Sequence, residues 1–352
     1  MTATTATPDA EFEELLRQHR RELLAHCYRM VGSASEAEDL VQETFLRAWR
    51  SYAGFEGRSS VRTWLYRIAT NVCLSNLEGR ERRPLPAGLG APSLPAEAPL
   101  VEREIAWLGP LPDAMVTPDD PADVAVQMDS VRLAFVAALQ HLPARQRAVL
   151  ILCEVLRWSA AEAAEALETS VAAVNSALQR ARATMGALDA SSEAASPAPL
   201  DEHQRQMLDA YVAAFWRKDV EAIAALLTRD AVWEMPPWEG WYQGADTIAR
   251  LVDWNCPGQT HDMPMLATRC NGQPAFGLYI RESCLLGPES YDRGEGRTDV
   301  FVPFQLHVLE LVDVKISHVV AFFDPVAFRQ AGLPPSLSAA DVAAVAPLGP
   351  AS

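Results

Sequence analysis

The sequence predicts a chain of three folded parts: two all-α domains, a helical bundle and a helix-turn-helix domain, followed by an α+β domain shaped like a cone. Apolar residues recur with helical spacing through residues 11–83 and again through 123–188. Residues 203–333 begin with helical spacing and continue with the alternation that is typical of strands. Segments rich in Pro or Ser, at 84–122 and 189–202, are the predicted linkers between these domains.

Composition limits the classes of function. The net charge is −16, and residues 191–352 contain 21 acidic but only 11 basic side chains, so the whole chain is not built to coat DNA. The six cysteines have no CxxC spacing, which argues against a zinc site or a disulfide framework and favours free thiols in a reducing cytosol. We expect a cytoplasmic protein with no membrane contact, no metal and no cofactor, because neither a membrane span, a signal peptide nor a nucleotide-binding motif is found.

The helical bundle is predicted to contain three helices. The first covers 11–31 and the second 36–50, where Ser33 with Glu36 and Ser35 with Glu38 both fit a capping box. The third follows a loop with two glycines, and we expect it to bury Val61, Trp64, Leu65, Ile68, Ala69 and Val72 while exposing Arg62, Thr63, Tyr66, Arg67, Thr70 and Asn71. Residues 44–83 contain eight arginines and three glutamates, interleaved with Trp and Tyr, which suits a nucleic-acid surface.

Two strings in this bundle carry a resemblance to a known family. Asp39-Leu-Val-Gln-Glu-Thr-Phe-Leu-Arg-Ala-Trp49 and Thr63-Trp-Leu-Tyr-Arg-Ile-Ala-Thr-Asn71 resemble region 2 of the sigma-70 superfamily, most of all its extracytoplasmic-function (ECF) group. The resemblance implies contact with RNA polymerase through Asp39, Gln42, Glu43, Phe45, Leu46 and Trp49. It also implies capture of the −10 element by Arg58, Ser59, Ser60, Arg62, Thr63, Trp64, Arg67, Thr70, Asn71, Arg80, Arg82 and Arg83. Core packing remains an alternative for Phe45, Trp49 and Trp64.

Residues 84–122 are predicted to be an extended linker because their proline density forbids long helices. We expect one short helical turn at 102–108 and an acidic tail at 113–123. In the sigma family this connector threads the polymerase channel, where acidic residues stand in for nucleic acid. A solvated spacer is the alternative.

Residues 123–188 are predicted to form the helix-turn-helix domain. Pro143 can begin a helix over 144–156, Ser159 with Glu162 forms a capping box, and Ser170 can cap the last helix. The string Leu142-Pro-Ala-Arg-Gln-Arg-Ala-Val-Leu150 together with residues 159–182 resembles sigma region 4. That resemblance implies that Ser170, Ala172, Asn175, Ser176, Gln179, Arg180 and Arg182 contact the −35 element. Asn175 stands where many ECF members have arginine, so the usual −35 preference is in doubt. A generic helical hairpin is the alternative.

The last domain is predicted to combine two helices in 203–227, a strand at 231–236, a helix at 244–253 and strands at 263–268, 275–280, 300–311 and 314–323. We expect a curved antiparallel sheet. Asp230-Ala-Val-Trp-Glu-Met235, Gly240-Trp-Tyr-Gln-Gly-Ala-Asp246 and Phe322-Phe-Asp-Pro325 resemble the SnoaL-like branch of the nuclear transport factor 2-like superfamily. A known subset of ECF sigma factors carries such an extension.

Cones of this kind enclose an apolar pocket. The candidate pocket residues are Trp233, Met235, Trp238, Trp241, Tyr242 and Asp324, with Trp254 as a further aromatic; packing in the core is the alternative for the aromatic set. Candidate acid–base groups are Asp230, Glu234, His307, His318 and Asp324, of which Asp324 equally suits a turn or cap.

These patterns predict an alternative sigma factor that binds core RNA polymerase, directs initiation at specific promoters and is regulated, without catalysis, by its SnoaL-like domain. We do not expect an enzyme. The alternative is a SnoaL-like enzyme or small-molecule sensor fused to a DNA-binding module. Core RNA polymerase and promoter DNA are the predicted partners. Neither an anti-sigma factor nor a pocket ligand can be named from the residues.

Overall fold

The computed structural model describes residues 8–57, 59–94, 96–117, 127–189, 200–286 and 299–345. The chain divides into two compact units. The first unit comprises Met1–Arg83 and Met115–Glu193, and the second comprises Pro84–Ala114 and Ala194–Ser352. Within the described ranges, no helix is both long enough and apolar enough to cross a membrane.

The first unit opens with the three predicted helices: α1 (Pro8–Val31), α2 (Ala34–Ser51) and α3 (Val61–Leu77), with a short 3-10 turn at Tyr52–Gly54. Ser33 caps α2 by accepting the Glu36 N–H at 3.3 Å, and Ser60 caps α3 by accepting the Thr63 N–H at 3.1 Å. Fully buried apolar side chains join the helices in one core; they include Leu23, Tyr28, Val41, Leu65 and Ala69.

The expectation that Tyr66 and Thr70 face solvent on α3 is wrong, because both side chains are buried. The Tyr66 hydroxyl donates to Glu22 Oε2 at 3.1 Å, and the Thr70 hydroxyl donates to the Tyr66 carbonyl at 2.7 Å and lies 3.0 Å from His26 Nε2. Helix α1 packs along this side of α3 and supplies polar partners there. A burial prediction based on side-chain polarity therefore fails at these two positions.

The second half of the first unit contains α4 (Leu133–Leu139), α5 (Ala144–Leu150), α6 (Ala160–Ala166) and α7 (Val171–Asp189). The predicted capping box of Ser159 and Glu162 is present at the start of α6. The helix expected over 144–156 is interrupted, since α5 passes at Ile151 into a π-helical turn that ends at Val155. Buried Arg147 on α5 donates to the Met30 carbonyl at the end of α1 and to Gln140 Oε1 at 2.8 Å, which ties both halves of the unit together.

The second unit is built on a mixed sheet. Its strands are β1 (Leu227–Glu234), β2 (Trp241–Gln243), β3 (Met265–Cys270), β4 (Gln273–Arg281), β5 (Val300–Val312), β6 (Lys315–Phe322) and β7 (Leu337–Ser338). The order is β2-β1-β6-β5-β4-β3, and β7 pairs with β5. The predicted all-antiparallel sheet is wrong at one place, because β1 and β6 are parallel. Local alternation predicts strands but not the direction of a partner that is distant in the chain.

Helices cover the sheet of the second unit. They are α8 (Glu202–Arg217), α9 (Val220–Leu226), α10 (Ala245–Asn255), α11 (Pro325–Gln330) and α12 (Ala339–Val345), with a 3-10 turn at Glu282–Leu286. Asp201 forms a capping box with Gln204 at the start of α8, and Asp219 caps α9 as its position suggested. Buried aromatic and aliphatic side chains from α8, α10 and the sheet form a single apolar core.

Residues 84–114, from the predicted linker, form part of the second unit and are hydrogen-bonded along its surface. Pro86–Gly88 and Asp113–Met115 are short 3-10 turns, but the helical turn expected at 102–108 is absent; Glu102 instead forms a β-bridge with Trp238. The acidic tail beyond residue 117 and the second linker at 190–199 lie outside the described residues. The proline-rich segment therefore has a defined path, which its composition did not reveal.

Candidate functional site

Helix α3 carries cationic side chains that already have partners. Arg62 Nε donates to Glu22 Oε2 at 2.7 Å, and its guanidinium lies 5.0 Å from the centre of the Tyr66 ring. Arg67 forms an ion pair with Glu168 at 3.5 Å. Trp64 is half-buried against Phe55, with ring centres 4.9 Å apart. Since Arg67 and Glu168 are both substantially exposed, water and other anions can compete with Glu168 for this arginine.

A cleft of about 310 Å³ runs beside α3 in the first unit. One wall consists of predicted −10 residues, namely Ser59, Ser60, Thr63, Trp64 and Arg67. The other wall belongs to α6 and presents Glu162, Glu165 and Ala166. The acidic face of α6 thus lies opposite the cationic face of α3, so the two halves of this unit are electrostatically complementary. Arg58, which precedes the cleft residues, lies outside the described residues.

The three arginines after α3 are also engaged. Arg80 and Arg83 both form ion pairs with Glu36 at the start of α2, the second at 2.7 Å. Arg82 donates to His141 Nδ1 at 2.7 Å. Burial and the charge of Arg82 lower the pKa of His141, so the imidazole is neutral near pH 7 and can accept this bond. These contacts hold the end of the bundle against α2 and α4.

Helix α7 presents the predicted −35 residues to solvent. Ser170, Ala172, Asn175, Ser176, Gln179, Arg180 and Arg182 are all exposed. Ser170 caps the helix by accepting the Ala173 N–H at 3.2 Å, which fixes the start of the recognition face. Arg180 donates to Ser176 at 2.6 Å, and Arg182 Nε donates to Glu154 at 2.9 Å. Asn175 and Gln179 are exposed on the same helix and precede both arginines.

Helix α2 displays an exposed apolar patch among the predicted polymerase contacts. Leu46 is 53% exposed and Trp49 is 49% exposed, with Trp49 resting on buried Phe12 at a ring distance of 5.2 Å. Core packing therefore does not explain Trp49, whereas Phe45 is partly buried. Asp39 and Gln42 are exposed beside this patch, and Glu43 is paired with Arg47 at 2.7 Å. An exposed leucine and tryptophan on one helix suit a protein interface.

The second unit contains an apolar cavity of about 220 Å³ that is partly open to solvent. Three of the predicted pocket residues, Trp233, Met235 and Trp238, contribute to its wall. Three others lie elsewhere: Trp241 donates to the Gly90 carbonyl at 2.9 Å, Tyr242 is buried in the core, and Asp324 caps α11 by accepting two backbone N–H groups. Trp254, the further aromatic, is 68% exposed.

A chain of buried polar groups ends at this cavity. The Tyr211 hydroxyl lies 2.9 Å from His307 Nδ1, and His307 Nε2 lies 2.7 Å from Gln305 Oε1. Gln305 in turn lines the cavity. Burial lowers the pKa of His307 to about 3 and raises the pKa of Tyr211, so both groups are uncharged at neutral pH. His307 is therefore a neutral link in a hydrogen-bond chain and not a proton reservoir.

The register of the sheet assembles a second, charged cluster. The parallel pairing of β1 with β6 brings Glu234 within 2.7 Å of His318 Nε2, and β5 places Glu310 3.8 Å from His318 Nδ1. Burial alone would lower the pKa of His318, but these two carboxylates outweigh burial and raise the pKa to about 9. Glu234 also accepts the Ala87 N–H at 2.6 Å. The cluster thus anchors the backbone at Ala87 to the sheet.

Sequence reasoning missed several residues that line the cavity. Gln305, Phe304, Asn255 and Leu100 all line it, yet none belonged to a motif. Gln305 was detectable in principle as a polar residue within an otherwise apolar strand. Leu100 was not, because it belongs to the proline-rich segment, whose path across the sheet depends on contacts with distant parts of the chain.

Comparison with known proteins identifies the domains and the family of the chain. Family models match the chain as sigma-70 region 2 over residues 15–83, sigma-70 region 4 over residues 132–185 and a SnoaL-like domain over residues 208–269. A region 2 bundle followed by a region 4 helix-turn-helix defines a sigma factor of the sigma-70 family. The ECF RNA polymerase sigma factor SigG of Mycobacterium tuberculosis is 51% identical over 93% of this chain and 85% of its own length. The chain therefore belongs to the ECF sigma factors, which are alternative sigma factors.

Two further proteins are similar to the chain over most of its length. The probable ECF sigma factor SigI of M. tuberculosis is 27% identical over 76% of this chain and 84% of its own length. The crystal structure of the M. tuberculosis ECF sigma factor SigJ is similar with a TM-score of 0.55 and 23% identity, covering 92% of this chain and 99% of that one. The second match shows the same fold, including the SnoaL-like domain.

Proposed function

We propose that this ECF sigma factor binds core RNA polymerase through α2, captures the −10 element with α3 and reads the −35 element with α7. The exposed recognition face of α7, from Ser170 to Arg182, carries the proposal, since its polar side chains can reach base edges in the major groove. The exposed Leu46 and Trp49 patch on α2 supports the polymerase contact.

The first prediction concerns promoter opening. Replacing Arg62 and Arg67 together by alanine should block strand opening without weakening binding to core polymerase, because both arginines lie on α3 and the proposed polymerase contacts lie on α2. Permanganate footprinting of the −10 region reports opening, and native gel analysis reports polymerase binding. The single Arg62→Ala variant is the reference for the structural effect of losing the ion pair with Glu22, because it breaks that pair and keeps Arg67.

The matched control is Arg17→Ala, which removes an exposed arginine of α1 that pairs only locally with Glu14. It should leave the footprint unchanged. Unaltered permanganate reactivity in the double variant would exclude α3 as the −10 surface.

We propose further that the SnoaL-like unit regulates the sigma factor by holding the connector between regions 2 and 4. Three anchors support this role. Glu234 accepts the Ala87 N–H, Asn255 donates to the Ala96 carbonyl at 3.0 Å, and Asp113 accepts the Gly272 N–H at 2.8 Å. A connector held along this unit cannot take another path until these bonds break.

The second prediction tests this regulation. Replacing Asn271 by alanine removes the acceptor for the Leu111 N–H, which is bonded at 2.9 Å. Combined with Asp113→Asn, it should loosen the connector and change the yield of run-off transcripts with core polymerase at least threefold. Faster amide hydrogen exchange confined to residues 84–114 should accompany that change. Asp253→Asn, an exposed carboxylate on α10, is the control.

Equal transcription by the double variant and the parent chain, despite faster exchange, would remove the regulatory role. We favour regulation over catalysis because, among the described residues that line the cavity, none is a carboxylate or an imidazole. Glu234, His318 and Asp324, which sequence analysis considered as acid–base groups, are used in an ion-pair cluster and a helix cap.

A further inference from the structure

We propose that the cavity of the SnoaL-like unit binds a small, uncharged, mainly apolar molecule that carries a carbonyl oxygen, and that the Gln305 carboxamide donates a hydrogen bond to that oxygen. The inference does not depend on whether the unit regulates transcription. It rests on the direction of hydrogen bonds in the Tyr211–His307–Gln305 chain and on the composition of the cavity wall.

The direction of the hydrogen bonds from Tyr211 through His307 to Gln305 follows from the Tyr211 hydroxyl. Tyr211 is fully buried and stays protonated, so its hydroxyl must donate, and its hydrogen-bonding neighbour is His307 Nδ1 at 2.9 Å. A neutral imidazole has one N–H, and with Nδ1 acting as the acceptor that proton is on Nε2. His307 Nε2 therefore donates to Gln305 Oε1 over 2.7 Å. This sequence of bonds fixes which end of the Gln305 carboxamide faces the imidazole.

The nitrogen of the Gln305 carboxamide is left as a donor. Its N–H groups have no acceptor among the described residues, although Gln305 is only 7% exposed and lines the cavity. The indole nitrogens of Trp233 and Trp238, two further wall residues, are buried without a partner in the described part of the chain. A buried donor without an acceptor is unfavourable, and an oxygen acceptor brought in by a ligand would relieve it.

The residues that line the cavity indicate the polarity and the charge of the remainder of the ligand. Phe215, Leu251, Phe304 and Phe323 make it largely aromatic and aliphatic, and Leu100 of the connector closes part of it. No arginine or lysine lines the cavity within the described ranges, so a carboxylate would lose its hydration without gaining a counter-ion. A neutral carbonyl compound satisfies both the donors and the wall. A volume of about 220 Å³ suits a molecule of two fused rings with a short substituent.

The test uses two probes of similar shape and the full-length protein. 2-Acetylnaphthalene carries the carbonyl oxygen, and 2-isopropenylnaphthalene replaces that oxygen by a methylene group. We expect the ketone to bind about ten times more tightly by isothermal titration calorimetry, which corresponds to one hydrogen bond to an otherwise unpaired donor. Quenching of the fluorescence of Trp233 and Trp238 provides an independent binding signal.

Gln305→Glu separates the hydrogen bond from the fold. This variant keeps an acceptor for His307 Nε2 and, at a pH high enough to ionise the new carboxyl, carries no donor. Under that condition the preference for the ketone should disappear while affinity for the hydrocarbon is kept. Gln206→Glu, at an exposed site on α8, should bind as the parent does. A melting curve for each variant confirms folding.

Several results would overturn the inference. They are equal affinity of the parent protein for both probes, absence of binding of either probe, and retention of the ketone preference in Gln305→Glu. Because every readout is binding, a failure here is distinguishable from a failure of the regulatory proposal, which is measured by transcription.

Discussion

Two histidines of the same sheet behave in opposite ways because of their neighbours. His307 is buried beside neutral partners, and its pKa falls to about 3. His318 lies between Glu234 and Glu310, and its pKa rises to about 9. The difference comes from nearby carboxylates, which favour the charged imidazole, and not from burial alone. The sequence contains both residues in similar apolar strands, so this contrast could not be predicted without the register of β1, β5 and β6.

The charged state of His318 makes stability depend on pH. Because its pKa in the folded protein is above the ordinary value of about 6.5, folding favours the protonated form. The stabilisation is complete below about pH 6 and is lost as pH rises through about 9. Relative to His318→Gln, the parent protein should be more stable by on the order of 2 kcal/mol near pH 6.5 and by much less near pH 10.

Chemical denaturation across that pH range measures the difference in the free energy of unfolding. His203→Gln, at an exposed position at the start of α8, should run parallel to the parent chain at every pH. A stability difference between parent and His318→Gln that does not change with pH would mean that the histidine is uncharged in the fold.

At the scale of elements, the sequence was most informative where helices are amphipathic and capped. Helices α1, α2, α3 and α8 lie close to their predicted positions, and the box of Ser159 and Glu162 begins α6 as expected. Local patterns failed where a distant element supplies a partner. Tyr66 and Thr70 are buried because α1 offers them hydrogen bonds, and β1 is parallel to β6 because the chain crosses the sheet between them.

Helix α7 yields the element-scale prediction. Asn175→Ala should relax the preference at a single −35 position by about 1–3 kcal/mol, because a side chain that reads a base edge discriminates there. Arg182→Ala should weaken all promoters similarly, since a phosphate contact carries no sequence information. In the free protein Arg182 is paired with Glu154. The Arg182→Ala variant should therefore lose less affinity for promoter DNA than the Arg180→Ala variant.

Selection of promoters from a randomised −35 library by the holoenzyme measures both effects. Ala183→Ser, on an exposed position of the same helix, is the control. If Asn175→Ala and Arg182→Ala shift the selected promoters in the same way, the division into base-reading and phosphate-binding residues is wrong.

At the scale of the whole molecule, each of the two units is built from two separate segments of the chain. Residues 84–114 leave the first unit, run along the SnoaL-like unit and return to the first unit at residue 115. The composition of this segment predicted an extended, proline-rich chain but could not reveal its binding site. That site consists of single side chains such as Asn271, which accepts the Leu111 N–H, and Asn255, which donates to Ala96.

This organisation predicts that the connector depends on the C-terminal unit for its order. In the full-length protein the Arg103 N–H is bonded to the Pro237 carbonyl at 3.1 Å, and the neighbouring Val101 carbonyl accepts the Glu239 N–H at 2.9 Å. A chain ending at residue 190 lacks both partners. Trypsin should therefore cleave after Arg103 at least ten times faster in the truncated protein, because backbone held by hydrogen bonds cannot enter a protease site without local opening.

Cleavage after Arg17, an exposed residue of α1, provides the internal reference and should proceed at the same rate in both proteins. Mass spectrometry of timed digests resolves the two sites. Equal rates at Arg103 would mean that the connector opens freely even in the full-length chain, so the SnoaL-like unit would not restrain it. A faster rate at both sites would instead indicate that truncation unfolds the first unit, and full-length Asn271→Ala would then be the chain to compare.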